Sequence, residues 1–290
     1  MPPMLNRRHF HATALTAATA LAGVSLAEQK GPRLRKALKF GMIGIQGSIE
    51  EKFKLAKTCG FDGVEMDSPA NIDRDEVVRA RDASGIVIHG VVDSIHWKDT
   101  LSSPDEAVRA RGLAGLRTAM ADCKRYGGTT ALLVPGVVNK EVDFDTCWSR
   151  STAEIKKVLP EAEKLGVKIA IEVVWNNFLT TPEQLVKYVD QFESPWVGAY
   201  FDISNMIKYG VPPATWIRTL GKRMMKFDFK GYSNTKQWVG IGEGDENWPE
   251  VLKALAEVGY TGWATSEVGG GPEAKLRDIA ARMDKVLGLV

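Results

Sequence analysis

Lys168-Ile169-Ala170-Ile171-Glu172 and Val197-Gly198-Ala199-Tyr200-Phe201-Asp202 are short apolar runs that each close on a carboxylate, with a helical pattern from Thr181 to Gln191 between them. Such a run, a helix and a second run make one βαβ unit, the building block of a parallel sheet. The same alternation extends in both directions. Further strands are expected at Phe40-Gly41-Met42-Ile43, Gly63-Val64-Glu65-Met66, Ile86-Val87-Ile88-His89, Thr130-Ala131-Leu132-Leu133-Val134, Met224 to Asp228 and Gly262 to Glu267. Helical patterns separate them at Glu50 to Cys59, Arg74 to Ser84, Pro104 to Tyr126, Ser149 to Leu165, Trp248 to Val258 and Pro272 to Leu287. Gly60, Gly166 and Gly259 suit helix C-caps that return the chain to a strand. Eight strands close a barrel, so residues 39–290 are expected to form one α/β domain, a (β/α)8 TIM barrel. A doubly wound open sheet lacks support, because no G-x-G-x-x-G follows the first strand.

Ahead of the barrel, Arg7-Arg8 precede an uncharged stretch from Ala12 to Ala27 that is rich in Ala and Thr and ends Ser25-Leu26-Ala27. That stretch is too short for a membrane span of about 20 residues and reads as an export signal over residues 1–27, cleaved after Ala27. Paired arginines followed by Phe10 resemble a twin-arginine signal, which directs folded proteins to the periplasm or beyond. Residues 28–38 are expected to be a linker.

The whole chain has 290 residues, with 38 basic and 36 acidic ones. Without Arg7 and Arg8 the balance is 36 to 36, which leaves nothing to steer the protein toward nucleic acid by phosphate neutralisation. No stable membrane anchor is expected. Cys59, Cys123 and Cys147 are odd in number and form no C-x-x-C pair, so they read as buried or idle thiols.

Active sites on a (β/α)8 barrel sit at the C-terminal strand ends. The last four expected strands finish in Glu172, Asp202, Asp228 and Glu267. An acid closing an apolar strand is costly unless it is paired, hydrogen-bonded or bound to a cation. Four that converge repel one another, and a divalent ion resolves the repulsion. Oxygen donors favour Mn²⁺ or Mg²⁺ over zinc.

Glu172-Val173-Val174-Trp175-Asn176-Asn177-Phe178-Leu179, Tyr200-Phe201-Asp202-Ile203-Ser204-Asn205, Gly240-Ile241-Gly242-Glu243-Gly244-Asp245 and Gly259-Tyr260-Thr261-Gly262-Trp263 with Glu267 resemble the xylose isomerase-like sugar isomerase/epimerase family. The resemblance runs in order from about Phe40 to Leu287. It implies a single barrel that interconverts keto sugars or sugar phosphates with one divalent metal, and dimers or tetramers as assembly states. Carried over by motif, the ligands are Glu172, Asp202, Asp228 and Glu267, with Glu172 and Glu267 also serving as base and acid. The third position departs from the pattern: where the family usually has His-x-Lys-Asp, this chain has Asp228-Phe229-Lys230-Gly231. A carboxylate there changes metal preference, and Lys230 can offset its charge or hold a substrate oxygen.

Removing an acidic α-proton and stabilising an enediolate serves isomerisation and epimerisation alike. Elimination or hydration of an oxidised keto glycoside uses the same site. A non-catalytic sugar-binding barrel with a weakened metal site is the reading from another class. Of four histidines only His89 and His96 lie beyond the signal, too few for the three-zinc barrel endonucleases that cleave at abasic DNA sites. His89, closing strand three, is the expected substrate contact, and His96 reads as a loop residue at the same mouth. Glu65, Asn205 and Glu243 are further substrate contacts, and Trp97, Trp175 and Phe178 an apolar wall beside the sugar. Arg109 and Arg111 lie in a long helix and read as salt-bridge partners. No phosphate-binding arginine cluster is evident, so the expected substrate is an unphosphorylated sugar or sugar derivative.

Overall fold

The computed structural model describes residues 34–290. Eight parallel strands close a barrel: β1 (Arg35–Lys39), β2 (Gly63–Ser68), β3 (Val87–Asp93), β4 (Thr130–Leu133), β5 (Lys168–Glu172), β6 (Val197–Asp202), β7 (Met224–Phe229) and β8 (Trp263–Ser266). Each pairs with its successor, and β8 closes on β1 through Arg35 opposite Trp263 and Leu38 opposite Ser266. Eight helices form the outer layer: α1 (Ile49–Thr58), α2 (Arg74–Ser84), α3 (Glu106–Tyr126), α4 (Phe144–Leu165), α5 (Pro182–Asp190), α6 (Pro213–Leu220), α7 (Trp248–Glu257) and α8 (Glu273–Val286).

Local sequence explains where the helices start and stop. Ser48 with Glu51, and Thr181 with Gln184, form reciprocal capping boxes, while Asp73, Asp105 and Asp143 accept bonds from first-turn amides. Each such cap contributes about 1 kcal/mol. Gly85, Gly127 and Gly166 end α2, α3 and α4 in the left-handed conformation. Gly60 and Gly259 likewise take positive φ just past α1 and α7, as the glycine spacing predicts.

The first strand corrects the sequence reading. Phe40–Met42 is a 3-10 turn, and β1 lies earlier, with all but its last residue, Lys39, in the stretch expected to be a linker. Two lysines disguise it. Lys36 is buried and pairs with Asp284 at 2.6 Å, and Lys39 points into the barrel, so charges that mimic a solvated segment are neutralised in place. Strand β3 also runs on to Asp93, four residues past its expected end at His89. The proposed signal at residues 1–27 lies outside the described residues.

The barrel interior carries a polar column. The Tyr200 hydroxyl, with one proton to give, lies within hydrogen-bond distance of Glu65 Oε2 (3.1 Å) and Thr265 Oγ1 (3.2 Å). Thr265 Oγ1 meets His89 Nε2 at 3.3 Å, and His89 Nδ1 lies 2.8 Å from Lys226 Nζ. With Nδ1 accepting from the lysine, the imidazole proton sits on Nε2 and points at Thr265. Burial and the neighbouring Lys226 charge hold the His89 pKa well below its ordinary value, and burial lowers that of Lys226 to about 8. Gly90 makes room for this lysine, since a Cβ there would stand 2.8 Å from its ammonium. Outside the barrel, strands and helices meet through apolar contacts such as Phe201 stacked on Trp216, ring centroids 5.4 Å apart. All three cysteines are free and buried.

Candidate active site

A cavity of about 410 Å³ opens at the C-terminal mouth of the barrel. Glu172 and Asp202 close β5 and β6, Asp228 is the penultimate residue of β7, and Glu267 directly follows β8. Parallel register sets Asp202 beside Asp228, and the Glu267 amide donates to Phe229 O at 3.0 Å, continuing the ladder past the strand end. One ligand atom from each of Glu172, Asp202, Asp228 and Glu267 lies within 4.8 Å of all the others.

The charges around this cluster are unequal. Asp202 Oδ1 accepts from the amides of Ser204 (2.8 Å) and Asn205 (2.7 Å), while its Oδ2 pairs with Lys230 Nζ. Lys230 also donates to Glu267 Oε2 at 2.6 Å. Lys39 Nζ donates to Glu65 Oε2 at 2.6 Å and lies 3.0 Å from Asp228 Oδ2, near enough for attraction but off the line of a hydrogen bond. Both Asp228 oxygens are therefore buried without a donor. Burial, then the charges of Asp228 and Glu267, push Glu172 well above the ordinary carboxylate range. Burial also raises Asp228, with Lys39 opposing it. For Glu267 the upward pull of burial is outweighed by Lys39 and Lys230, which hold it near 2.

These residues fit a divalent cation. Ligand oxygens about 2.0–2.6 Å from a common ion lie at most roughly 5 Å apart, and this set meets that limit. Four carboxylates face Lys230 and a Lys39 already shared with Glu65, so the cluster stays electron-rich, and the donor-less oxygens of Asp228 mark where positive charge is wanting.

Lys230, Trp97, Trp175 and Asn205 line the same cavity. Trp175 is fixed by its indole N–H, which donates to Asn205 O at 2.7 Å. Other expectations are corrected. His89 sits in the polar column beneath the cavity because β3 continues past it, and Glu65 lies there too, holding Lys39 and Tyr200. The histidine that lines the cavity is His96. Its Nδ1 accepts from Val134 N at 3.3 Å, which leaves Nε2 as the protonated nitrogen, and burial lowers its pKa to about 4. Glu243 is outside the cavity, exposed and paired with Arg282 at 2.6 Å; the loop's buried acid is Glu246, which accepts from Ser204 Oγ (2.7 Å) and Tyr232 N (2.8 Å). Phe178 packs against Tyr188 and Phe144 instead of walling the site. Arg109 and Arg111 pair with Glu154 and Asp99, as expected.

Sequence reasoning missed Lys39, Tyr200 and Trp238. The first was hidden by the misplaced strand. Tyr200 was legible, because it lies two residues before Asp202 and so shares its face of β6. Trp238 stands on a hairpin of two-residue strands, Tyr232–Ser233 and Gln237–Trp238, too short to leave a periodic signal.

A closed parallel barrel with a buried cluster of acidic ligands at its C-terminal mouth is the architecture of a (β/α)8 enzyme scaffold with a cation-ready site. The chain belongs to the xylose isomerase-like TIM barrel family, whose pattern it matches over residues 53–286. It is 26% identical over 258 residues to the L-ribulose-5-phosphate 3-epimerase UlaE of Salmonella paratyphi A, covering 81% of this chain and 90% of that protein. Its fold resembles D-psicose 3-epimerase, crystallised in the presence of D-fructose (TM-score 0.72, 21% identity, 88% of this chain and 100% of the other). It also resembles a zinc-bound IolI protein (TM-score 0.73, 16% identity, 88% and 99%).

Proposed function

We propose that the protein is a divalent-metal-dependent epimerase or isomerase of an unphosphorylated keto sugar or sugar derivative. The observation that carries this reading is the convergence of Glu172, Asp202, Asp228 and Glu267 within 4.8 Å at the barrel mouth. The sugar 3-epimerases among its relatives support the epimerase class.

Glu172, Asp202, Asp228 and Glu267 would hold the ion, and an all-oxygen set favours Mn²⁺ or Mg²⁺. When bound, the metal supplies electrostatic stabilisation of negative charge developing on adjacent substrate oxygens. The chain's own groups do the rest. Glu172 and Glu267, from β5 and β8, take the base and acid roles that the family resemblance implies, one removing the α-proton and the other returning it. Lys230 fixes Glu267 and Asp202 through its two ion pairs. His96 offers an Nε2–H donor to a substrate hydroxyl from the cavity wall.

No arginine lines the cavity, and both of its lysines are engaged by carboxylates, which supports an unphosphorylated substrate. We also propose export through the signal at residues 1–27 to the periplasm or beyond. None of the helices among the described residues is long and apolar enough to cross a membrane.

The test is exchange of substrate α-protons with deuterated water, run over keto sugars with enzyme loaded with Mn²⁺, alongside elemental analysis. Exchange with one metal per chain supports the reading. Full metal occupancy with no exchange on any keto sugar would leave a binding protein.

A further inference from the structure

Among the described residues four large hydrophobic side chains are exposed: Val87, Trp97, Trp238 and Val290. Val290 ends the chain and Val87 begins β3 at the opposite end of the barrel from the cavity. The remaining two, Trp97 at 53% and Trp238 at 47%, both line the cavity mouth. Leaving two indoles in water forgoes burial that contributes about 25 cal/mol per Å², and paired exposure at the rim of a polar cavity marks a recognition surface.

Their placement is opposed. Trp97 stands on the loop after β3 and Trp238 on the hairpin after β7, and β3 and β7 are four strands apart in a ring of eight. The two segments therefore rise from opposite sides of the barrel, and both tryptophans line the mouth between them.

The Trp238 platform is also built to hold its position. One face of its ring stacks on Trp175 (centroids 5.0 Å apart, planes 22° apart), and its edge meets Tyr232 at 5.1 Å. The hairpin is pinned where Val239 N donates to Gly231 O at 3.0 Å, at an approach so close that a Cβ on Gly231 would lie 2.3 Å from Gly240 O. Gln237, directly before the tryptophan, takes φ +61°, a left-handed conformation that is uncommon for a non-glycine residue and is retained where position matters.

We propose that Trp97 and Trp238 form an outer subsite for a second saccharide ring, so that the natural substrate is a glycoside of the keto sugar and not the free monosaccharide. A pyranose presents a face of C–H groups that packs on an indole, while its hydroxyl rim stays hydrated, which suits half-exposed tryptophans better than a fully buried wall. The cavity volume agrees, being roughly twice what one hexose fills at protein packing density. This inference rests on the keto-sugar reading.

Binding is measured by calorimetry on the full mature protein with Mn²⁺, using D-fructose and five disaccharides that carry a second ring on a fructose unit: turanose, maltulose, lactulose, leucrose and palatinose. The expected result is that at least one disaccharide binds about tenfold more tightly than D-fructose. Trp97→Ala and Trp238→Ala should each erase most of that advantage without weakening D-fructose, and Trp238→Phe, which keeps a stacked ring, should retain much of it. Disaccharides that bind no better than D-fructose, an advantage that survives both alanine variants, or binding of none of these sugars would overturn the subsite. α-Proton exchange, followed in parallel, separates the two claims: tryptophan-dependent disaccharide binding with no exchange on any sugar overturns the catalytic reading and leaves the subsite standing.

Discussion

Lys39 of β1 reaches past β8 to within 3.0 Å of Asp228 on β7, while its hydrogen bond goes to Glu65 at 2.6 Å. A single ammonium thus serves two buried carboxylates, and the pull of Glu65 and Asp228 raises its pKa despite its burial. Removing one member of a buried ion pair leaves the other uncompensated and costs about 3–5 kcal/mol. Lys39→Met is therefore expected to lower unfolding stability by about that much, measured by denaturant titration. Adding Glu65→Gln should recover part of the loss, and a double variant as unstable as the sum of the singles would show that Lys39 does not act through Glu65.

Glu172→Gln and Glu267→Gln each remove a proposed ligand and proton-transfer group. Each should slow α-proton exchange by about 10² to 10⁴ and reduce bound metal, with the circular dichroism spectrum unchanged. Either variant retaining wild-type exchange removes that glutamate from catalysis.

Asp228→His exchanges a carboxylate for an imidazole at the position where the family resemblance implies a histidine. Metal should still bind, with preference moving from Mn²⁺ toward Zn²⁺, since imidazole suits zinc and loses one negative charge from the cluster. Elemental analysis after dialysis against an equimolar mixture reads the ratio directly. An unchanged ratio would mean that Asp228 is not a ligand.

Asp93, at the end of β3, is buried with one oxygen lacking any partner, and burial lifts its pKa to about 7. Its charged form is disfavoured only in the folded state. The contribution is therefore intact below the unfolded value near 4 and is lost as pH rises from there to about 7. Between pH 5 and pH 8 the wild type should lose about 2 kcal/mol more stability than Asp93→Asn. Thermal unfolding at the two pH values checks this, and parallel behaviour of the two proteins would refute it.

For export, the mature protein recovered from outside the cytoplasm should begin at Glu28, as read by N-terminal sequencing. Replacing Arg7 and Arg8 with lysine should retain the precursor inside. Recovery of exported protein that still begins at Met1 would rule out cleavage.

The barrel was legible because its strands and glycine-ended helices are local signals, and β5 and β6 fall where Lys168–Glu172 and Val197–Asp202 predict them. The acidic cluster was legible for the same reason, since each of its carboxylates lies within one residue of a strand end. What escaped depended on contacts distant in sequence. Lys39 looks like a solvated charge until Glu65 and Asp228 are brought to it, and Glu246 was passed over for Glu243 because only tertiary packing decides which acid of Gly242-Glu243-Gly244-Asp245-Glu246 turns inward. His89 was favoured over His96 because the end of β3 was set four residues early, which moved the apparent rim of the barrel down to the wrong layer.

The opposed placement of Trp97 and Trp238 carries a consequence for how this scaffold can diversify. Both belong to surface segments that contribute no ligand to the acidic cluster, whose four carboxylates are rooted in β5 to β8. On the proposed reading, recognition and chemistry are separable modules: the hairpin after β7 and the positions flanking His96 in the loop after β3 can change to admit a different appended group while the acidic cluster below is inherited intact. A library confined to residues 94, 95, 97, 98 and 233–238, with His96 kept, is thus the economical route to altered selectivity.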